Sequence, residues 1–205
     1  MSSILGHGLA SLAAYQLLKR PCRLPRGAGG VALALGLGIL PDLDVAAGIL
    51  LGGQVAHRGL SHSLVFAAGA ALLAALACNL RRPANLPRAW IGLLLVAAVH
   101  PFLDYLMACG PPVPLFWPWI KTGYLCPVQV VPTAYYSRSW QGLVALLHHT
   151  PTLRGMLLET MIFLPLIPAA GLLQRLRSRP LLWVPLAALL AVSLAGLWLT
   201  RRIYA

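Results

Sequence analysis

Apolar segments long enough to cross a bilayer recur along this sequence, and they limit its fold more than any other feature. A membrane-spanning helix needs about 20 mostly apolar residues. The composition agrees, since 59% of the 205 residues are hydrophobic and 10% are charged, whereas soluble domains have roughly 45–50% apolar residues. The first segment lacks the basic start of a signal peptide, so we expect it to be retained. We predict an all-α, polytopic membrane protein, a single domain over residues 1–205, with about five to six transmembrane helices at 3–18, 31–51, 60–80, 89–108, 155–174 and 181–200.

The basic residues predict how these spans are oriented. Sixteen Lys and Arg give the chain a formal net charge of +12, but they are scattered among the connections, which argues against a nucleic-acid partner. The connections 19–30, 81–88 and 175–180 contain ten of them. By the positive-inside rule these connections are cytoplasmic, so both termini and residues 109–154 would face the periplasm of a bacterial inner membrane. Arg201 and Arg202 favour the opposite orientation.

The acidic residues are few, and all four fall within the apolar segments: Asp42, Asp44, Asp104 and Glu159. A charged group in hydrocarbon costs several kcal/mol, so such residues normally face a cavity, have a partner and mark a functional site. Asp42 and Asp44 would share a side in extended or unwound backbone, whereas on a regular helix they would diverge by about 200°. Pro41 and the nearby glycines favour an irregular segment there.

A histidine accompanies an acid in the stretch HPFLD. His100 and Asp104 are four residues apart, so on a helix they lie on one face and could hold one cation together. Pro101 disfavours the α conformation at His100, which predicts a break in the helix at this pair.

The predicted topology brings these residues to one depth, just under the outer surface, together with three further histidines. Imidazole and carboxylate without thiolate suit zinc, and also manganese or iron. More than four ligands favour two divalent ions. The alternative for each histidine is a hydrogen bond between packed helices. The candidate metal ligands are His7, Asp42, Asp44, His57, His62, His100 and Asp104.

Four separated motifs carry a family resemblance: GHGLASLAAY, PDLD, HRGLSHS and HPFLDYLMACG…LFWPW. In this order and spacing, over about residues 1–140, the chain resembles the LexA-regulated, membrane-bound metal-dependent hydrolases. The resemblance implies a reaction class, hydrolysis, without a substrate.

A more distant resemblance is to the all-helical superfamily of zinc-dependent phospholipases C and single-strand nucleases. It implies that His7, Asp42 or Asp44, His57 or His62, and the pair His100 and Asp104 hold metal. Those enzymes also use an HxxxE helix. Here the residues offered for it are His148, His149 and Glu159, and their spacing does not match the pattern. Glu159 would instead act as a base near the outer end of its span.

Two polar groups in HRGLSHS admit more than one role. Arg58 could bind a phosphate oxygen through its planar guanidinium, or extend to lipid headgroups. Ser61 has no G-x-S-x-G surroundings that would make it a nucleophile, and we expect it to cap the third helix.

Residues 109–154 are rich in proline, tryptophan and tyrosine. Aromatic residues favour the membrane interface, but a connection of this length calls for a function. We expect it to form a lid that admits lipid to the site, the alternative being a passive interfacial belt. Cys109 and Cys126 could pair if their compartment is oxidising.

These observations predict a membrane-embedded metal-dependent hydrolase of a phosphoester, in a lipid or lipid-linked substrate, with metal-bound hydroxide as the nucleophile. Arg58 and Glu159 are its predicted catalytic residues. The alternative is a metal-ion transporter or metal-binding membrane protein, because intramembrane Asp and His also mark ion pathways. A transporter site usually lies near the midplane, whereas these residues cluster outward.

Overall fold

The computed structural model describes residues 3–52, 57–80, 83–108, 110–133, 135–137, 139–176 and 180–204. Within these ranges the chain is helical, and its only β pairing is an isolated bridge between Val113 and Tyr124. Its α-helices are α1 (Ile4–Leu18), α2 (Ala28–Ile39), α3 (Leu43–Leu50), α4 (Leu64–Asn79), α5 (Leu86–Tyr105), α6 (Trp140–Ala145), α7 (Thr150–Phe163), α8 (Leu166–Leu173) and α9 (Trp183–Tyr204).

Six apolar helical stretches correspond to the six predicted spans. Four are long and apolar enough to cross a membrane, namely Ala28–Leu50, Pro83–Tyr105, Thr150–Leu173 and Trp183–Tyr204. The other two, α1 and α4, are apolar but shorter. The all-α, polytopic architecture predicted from the sequence is confirmed.

Proline interrupts one long stretch and leaves another intact. A 3-10 turn at Leu40–Asp42 contains Pro41 and separates α2 from α3, so the irregular backbone predicted there is present. The break predicted at His100 is absent, because α5 runs through Pro101 to Tyr105. Pro101 is fully buried, and packing of α5 on its neighbours outweighs the local preference of a single proline, as it can in membrane helices.

The short helix α1 lies at the centre of the bundle, where it contacts α2, α5, α7 and α8. Small residues allow the close approach of α1 and α2. A Cβ on Gly38 would lie 2.5 Å from Oγ of Ser11 and 3.0 Å from the carbonyl oxygen of His7. Because Gly38 has no side chain, the backbone of α1 at His7 can pack directly against α2.

The described residues of the three basic connections lie at one end of the bundle, which we call the basic end. Asn85 donates from Nδ2 to the carbonyl oxygen of Arg23 at 3.3 Å, which joins the first two. Gln174, after α8, donates from Nε2 to the carbonyl oxygen of Leu17 at 2.9 Å. This arrangement agrees with the predicted topology, and which face of the membrane the basic end occupies stays a prediction.

The described part of the proline- and aromatic-rich residues 109–154, which we call the aromatic segment, returns to the opposite end of the bundle. Cys126 donates from its backbone to the carbonyl oxygen of Tyr105 at 2.9 Å, and Val130 donates to that of Leu106 at 3.0 Å. Further along, the segment forms α6. The predicted pairing of Cys126 involves Cys109, which lies outside the described residues.

Candidate metal centre

Five buried side chains converge at the end of the bundle opposite the basic end. His7 lies at the end of the first turn of α1, Asp42 ends the 3-10 turn, and His62 lies in a second 3-10 turn, Leu60–His62, just before α4. His100 and Asp104 lie one turn apart on α5. Each of the five side chains is at most 1% exposed. We call these five residues the central cluster.

The donor atoms of the central cluster face one another. Nε2 of His7 is 3.5 Å from Oδ1 of Asp104 and 3.9 Å from Oδ2 of Asp42. Nε2 of His62 is 3.3 Å from Oδ2 of Asp104 and 3.7 Å from Oδ1 of Asp42. Nε2 of His100 is 3.6 Å from Oδ1 of Asp42 and 3.8 Å from Oδ2 of Asp104. Neighbouring ligands of a tetrahedral zinc ion are about 3.4 Å apart, given bond lengths near 2.1 Å.

Most of these donor atoms form no hydrogen bond with the described part of the chain. Nε2 of His7, His62 and His100, and both carboxylate oxygens of Asp42, are buried without a hydrogen bond to any described residue. Leaving a buried polar atom unpaired costs about 1–3 kcal/mol. Several such atoms gathered at one point fit a group that would accept all of their lone pairs, which is what a metal ion does.

Charge supports the same interpretation. Asp42, Asp44 and Asp104 bring three carboxylates to this region, and the guanidinium of Arg58 pairs with Asp104. With neutral histidines, the formal charge is −2. Buried charge is tolerated when it is paired or coordinates a metal, and one divalent cation would neutralise this site.

The His100 ring is oriented by a backbone carbonyl. Nδ1 of His100 lies 2.7 Å from the carbonyl oxygen of Gly38, and because a carbonyl only accepts, Nδ1 carries the proton. Nε2 therefore presents its lone pair to the central cluster. Metal-binding histidines almost always have such a hydrogen bond on their second nitrogen. The His7 ring stacks on that of His100, with centroids 3.6 Å apart.

Asp42 and Asp44 are both predicted ligands, but Asp44 lies outside the central cluster. It follows the 3-10 turn in the first turn of α3, so the two carboxylates diverge as on a helix. Oδ1 of Asp44 lies 2.8 Å from Nδ1 of His57, and Oδ2 lies 3.3 Å from Nδ1 of His62. Ser61 donates from Oγ to Oδ2 of Asp44 at 2.8 Å. Asp44 thus orients the His57 ring directly, and it orients the His62 ring together with Ser61, whose Oγ lies 3.0 Å from Nδ1 of His62.

The predicted cap of α4 is wrong by two residues. Ser63, rather than Ser61, precedes the helix and accepts from the amide of Phe66 at 3.1 Å. The 3-10 turn at Leu60–His62 delays the start of α4 and turns Ser61 toward Asp44.

His57 lies at the edge of the central cluster. Its Nε2 is buried without a hydrogen bond to a described residue, and donor atoms of Asp42, His57 and His62 lie within 4.8 Å of one another. Two more groups meet the same criterion, His7 with Asp42 and His100, and His62 with His100 and Asp104. Because the three groups share members, they form one continuous site.

Arg58 lies behind Asp104. Its backbone is left-handed, with φ 61°, and its side chain is fully buried. Nη2 donates to Oδ1 of Asp104 at 3.1 Å, and Nη1 donates to the carbonyl oxygen of Pro111 at 2.7 Å. The guanidinium thereby holds one oxygen of Asp104. The predicted contact of Arg58 with a phosphate oxygen stays a prediction.

Glu159, the second predicted catalytic residue, is buried on α7 and bound to the start of α1. Its carboxylate accepts from the backbone N–H of Ser3 at 2.9 Å and also from the Ser3 hydroxyl. Ser3 in turn caps α1 by accepting from the amide of Gly6 at 3.0 Å. These contacts make Glu159 an anchor for α1. A role as a base stays a prediction.

An apolar cavity of about 320 Å³ adjoins the site. Asp42 provides one of its few polar walls. The aromatic segment and α6 cover it, with Tyr136 also contacting the ring of His57 at a centroid distance of 4.7 Å. No sequence pattern indicated this last contact. The other lining residues include Leu43, Val45, Tyr135, Trp140, Leu143 and Leu147.

The apolar helices and the buried histidine–aspartate cluster define a polytopic membrane protein with a candidate metal centre. The chain belongs to the YdjM inner membrane protein family, whose pattern matches residues 1–203. It is also similar to the inner membrane protein YbcI of Escherichia coli (strain K12), with 35% identity over 106 residues. That match covers 50% of this chain and 61% of the relative, so the chain spans about three fifths of the relative's length. No solved structure matches it.

These similarities confirm the inner-membrane location and the membrane-protein part of the predicted resemblance. The hydrolase activity, the periplasmic position of the site and the identity of a metal stay predictions.

Proposed function

We propose that this protein is a membrane-embedded metal-dependent hydrolase that cleaves a phosphoester in a lipid or lipid-linked substrate. The observation that carries the proposal is the convergence of buried, unpaired donor atoms from His7, Asp42, His62 and His100. Together with Asp104 they would hold a divalent ion, and zinc fits their nitrogen and oxygen donors. A bound ion supplies polarisation of a phosphoryl oxygen and a lower pKa for a coordinated water.

The chain's own residues hold this site in shape. Asp44 orients the rings of His57 and His62, Arg58 holds Asp104, and the carbonyl of Gly38 orients His100. A second ion would add two positive charges to a site whose formal charge one ion already balances. An anionic substrate such as a phosphoester would offset that excess, so the substrate complex could hold two ions.

The adjoining cavity supports a lipid substrate. Its volume of about 320 Å³ is within the range of roughly 300–1,000 Å³ for small-molecule pockets. Leu43, Leu143 and Leu147 give it an apolar wall, and Asp42 places the candidate metal centre at its side. An acyl chain in this cavity would bring the phosphoester of its headgroup to the central cluster, beneath a lid formed by Tyr136 and α6.

A metal transporter requires a polar path to the other side of the membrane. Between the central cluster and the basic end, the described helices pack mainly through buried apolar side chains such as Ala71, Leu93 and Val96. The site also lies at one end of the bundle, whereas transporter sites lie near the midplane. Both observations favour the hydrolase.

Elemental analysis of the detergent-purified protein, prepared without chelators, tests the metal centre first. We expect one to two divalent ions per chain, lost in Asp104→Ala and in His62→Ala. His148→Ala is the matched control, because His148 is exposed and outside the cluster. Folded protein without metal would contradict the proposal.

Incubation of the metal-loaded protein with membrane lipid extracts tests the reaction. We expect a released phosphorylated headgroup or lipid phosphate that is absent with Asp104→Ala. No product from any phospholipid class, with metal occupancy verified, would contradict the hydrolase while leaving the metal centre standing. Uptake of metal into proteoliposomes would support the transporter instead.

A further inference from the structure

A polar cavity of about 630 Å³ opens at the basic end, at the far side of the bundle from the central cluster. It lies between the connection from α1 to α2 and the connection from α4 to α5. Its lining residues are Arg23, Leu24, Pro25, Arg26, Cys78, Asn79 and Asn85.

The arginines of this cavity have no acidic side chain to pair with. The chain has four acidic residues, and the structure describes all of them. Asp42, Asp44 and Asp104 lie with the histidines, and Glu159 binds Ser3 at the start of α1. A side-chain counter-ion for Arg23 and Arg26 must therefore come from another molecule.

Asn85 adds a hydrogen-bond acceptor to the arginine donors of the cavity. Its Nδ2 donates to Oδ1 of Asn79 at 3.1 Å and to the carbonyl oxygen of Arg23. Its Oδ1 is buried and accepts no hydrogen bond from any described residue. A ligand that offers a hydroxyl or ammonium donor would satisfy this oxygen.

The start of α5 contributes positive potential to the same place. Asn85 is the N-cap residue of α5, but its side chain makes no capping hydrogen bond. The Asn85 side chain therefore does not cap the first turn, in which Pro87 has no amide hydrogen, and the positive end of the α5 dipole lies at the cavity. The cavity combines two cations, a helix N-terminus and a buried acceptor.

We infer that this cavity binds the headgroup of an anionic phospholipid. Its phosphate would lie between Arg23 and Arg26, and a headgroup hydroxyl would donate to Oδ1 of Asn85. Phosphatidylglycerol has both groups and one net negative charge. Basic pockets between membrane helices on the cytoplasmic side bind anionic headgroups in this way. Three exposed leucines on α4 and just after it provide an apolar face for the acyl chains. They are Leu73, Leu76 and Leu80.

Native mass spectrometry of the full chain in detergent micelles tests the inference. The protein is titrated with phosphatidylglycerol, phosphatidylethanolamine and phosphatidylcholine, and bound lipid is counted. We expect selective binding of phosphatidylglycerol, about 30-fold weaker in the double variant Arg23→Gln/Arg26→Gln, from about 1 kcal/mol per basic residue. The matched control is Arg20→Gln/Arg88→Gln, which removes two exposed arginines of the same connections that do not line the cavity.

A third variant tests the cavity without removing an arginine. Asn85→Asp is isosteric and places a carboxylate beside the expected phosphate, so it should weaken binding about fivefold. The same change removes the two hydrogen bonds that Nδ2 donates to Asn79 and Arg23, so its thermal midpoint in detergent is measured beside the lipid titration, and the arginine pairs decide the test if that midpoint falls.

Three outcomes would overturn the inference. Equal weakening in both arginine pairs would indicate general surface charge. Equal binding of phosphatidylcholine would remove the anion requirement. Displacement of the lipid by glycerol 3-phosphate at equal concentration would show that a soluble phosphate, rather than a lipid, is the ligand.

Discussion

Nδ1 of His100 on α5 donates a hydrogen bond to the carbonyl oxygen of Gly38 on α2, 2.7 Å away. The contact crosses between two helices, so the packing of α2 sets the direction in which the His100 ring offers its other nitrogen. Helix packing and ligand geometry are therefore coupled in this protein.

This coupling predicts the effect of a methyl group at Gly38. In Gly38→Ala the new Cβ would lie 2.5 Å from Oγ of Ser11, so α1 and α2 must separate. We expect a loss of about 1–3 kcal/mol in unfolding free energy, with lower metal content. Gly36→Ala is the control, since a Cβ there has no atom within 4 Å. Thermal unfolding in detergent compares the two, and equal midpoints would refute the prediction.

Asp44→Asn tests the orienting role of Asp44. The amide keeps the size of the side chain but loses the charge that attracts Nδ1–H of His57 and His62. Substitution of such partners typically lowers metal affinity by about 10–100-fold, so we expect this range in a chelator competition titration. Complete loss of metal, as in Asp104→Ala, would instead make Asp44 a direct ligand. An unchanged affinity would exclude both roles.

Arg58→Gln should destabilise the protein strongly. It leaves the buried carboxylate of Asp104 without its guanidinium partner, and breaking a buried ion pair from one side costs about 3–5 kcal/mol. Lys121→Gln, the loss of an exposed cation from the same end, should change stability by about 0.5 kcal/mol or less. Chemical denaturation in micelles measures both, and similar midpoints for the two variants would contradict the prediction.

Metal removal should lower the stability of the whole bundle. Without the ion, the formal charge of −2 at the site is uncompensated. A ligand at 100 times its dissociation constant stabilises the folded state by about 2.7 kcal/mol. We expect a lower unfolding midpoint after chelation, restored by added zinc. Asp104→Ala should show no response to either treatment, and a chelator-insensitive wild type would argue for a metal-free hydrogen-bonded core.

Local spacing and topology were enough to predict much of the site. The four-residue interval between His100 and Asp104 survives because α5 stays helical, even though Pro101 favours a break. The alternation of basic connections predicts that His7, Asp42 and His62 come from the same end of three different helices. Those inferences need only helix periodicity and the order of the spans.

The remaining contacts depend on atoms that the sequence pattern does not position. Whether Asp42 or Asp44 faces the cluster is decided by three residues of 3-10 geometry at Leu40–Asp42. The acceptor for His100 is a backbone carbonyl, for which no residue type is diagnostic. Glu159 binds Ser3 across 156 positions, and only the packing of α7 on α1 brings them together.

The bond between Ser3 and Glu159 also has a consequence for how the protein is made. The helix that carries His7 is synthesised before α7, yet its anchor, Glu159, lies on α7. Until α7 has been inserted, α1 is a short helix without that anchor in the bilayer. A nascent chain that already contains every histidine and aspartate of the centre would still lack the contact that secures His7, so the site matures only after α7 has been inserted.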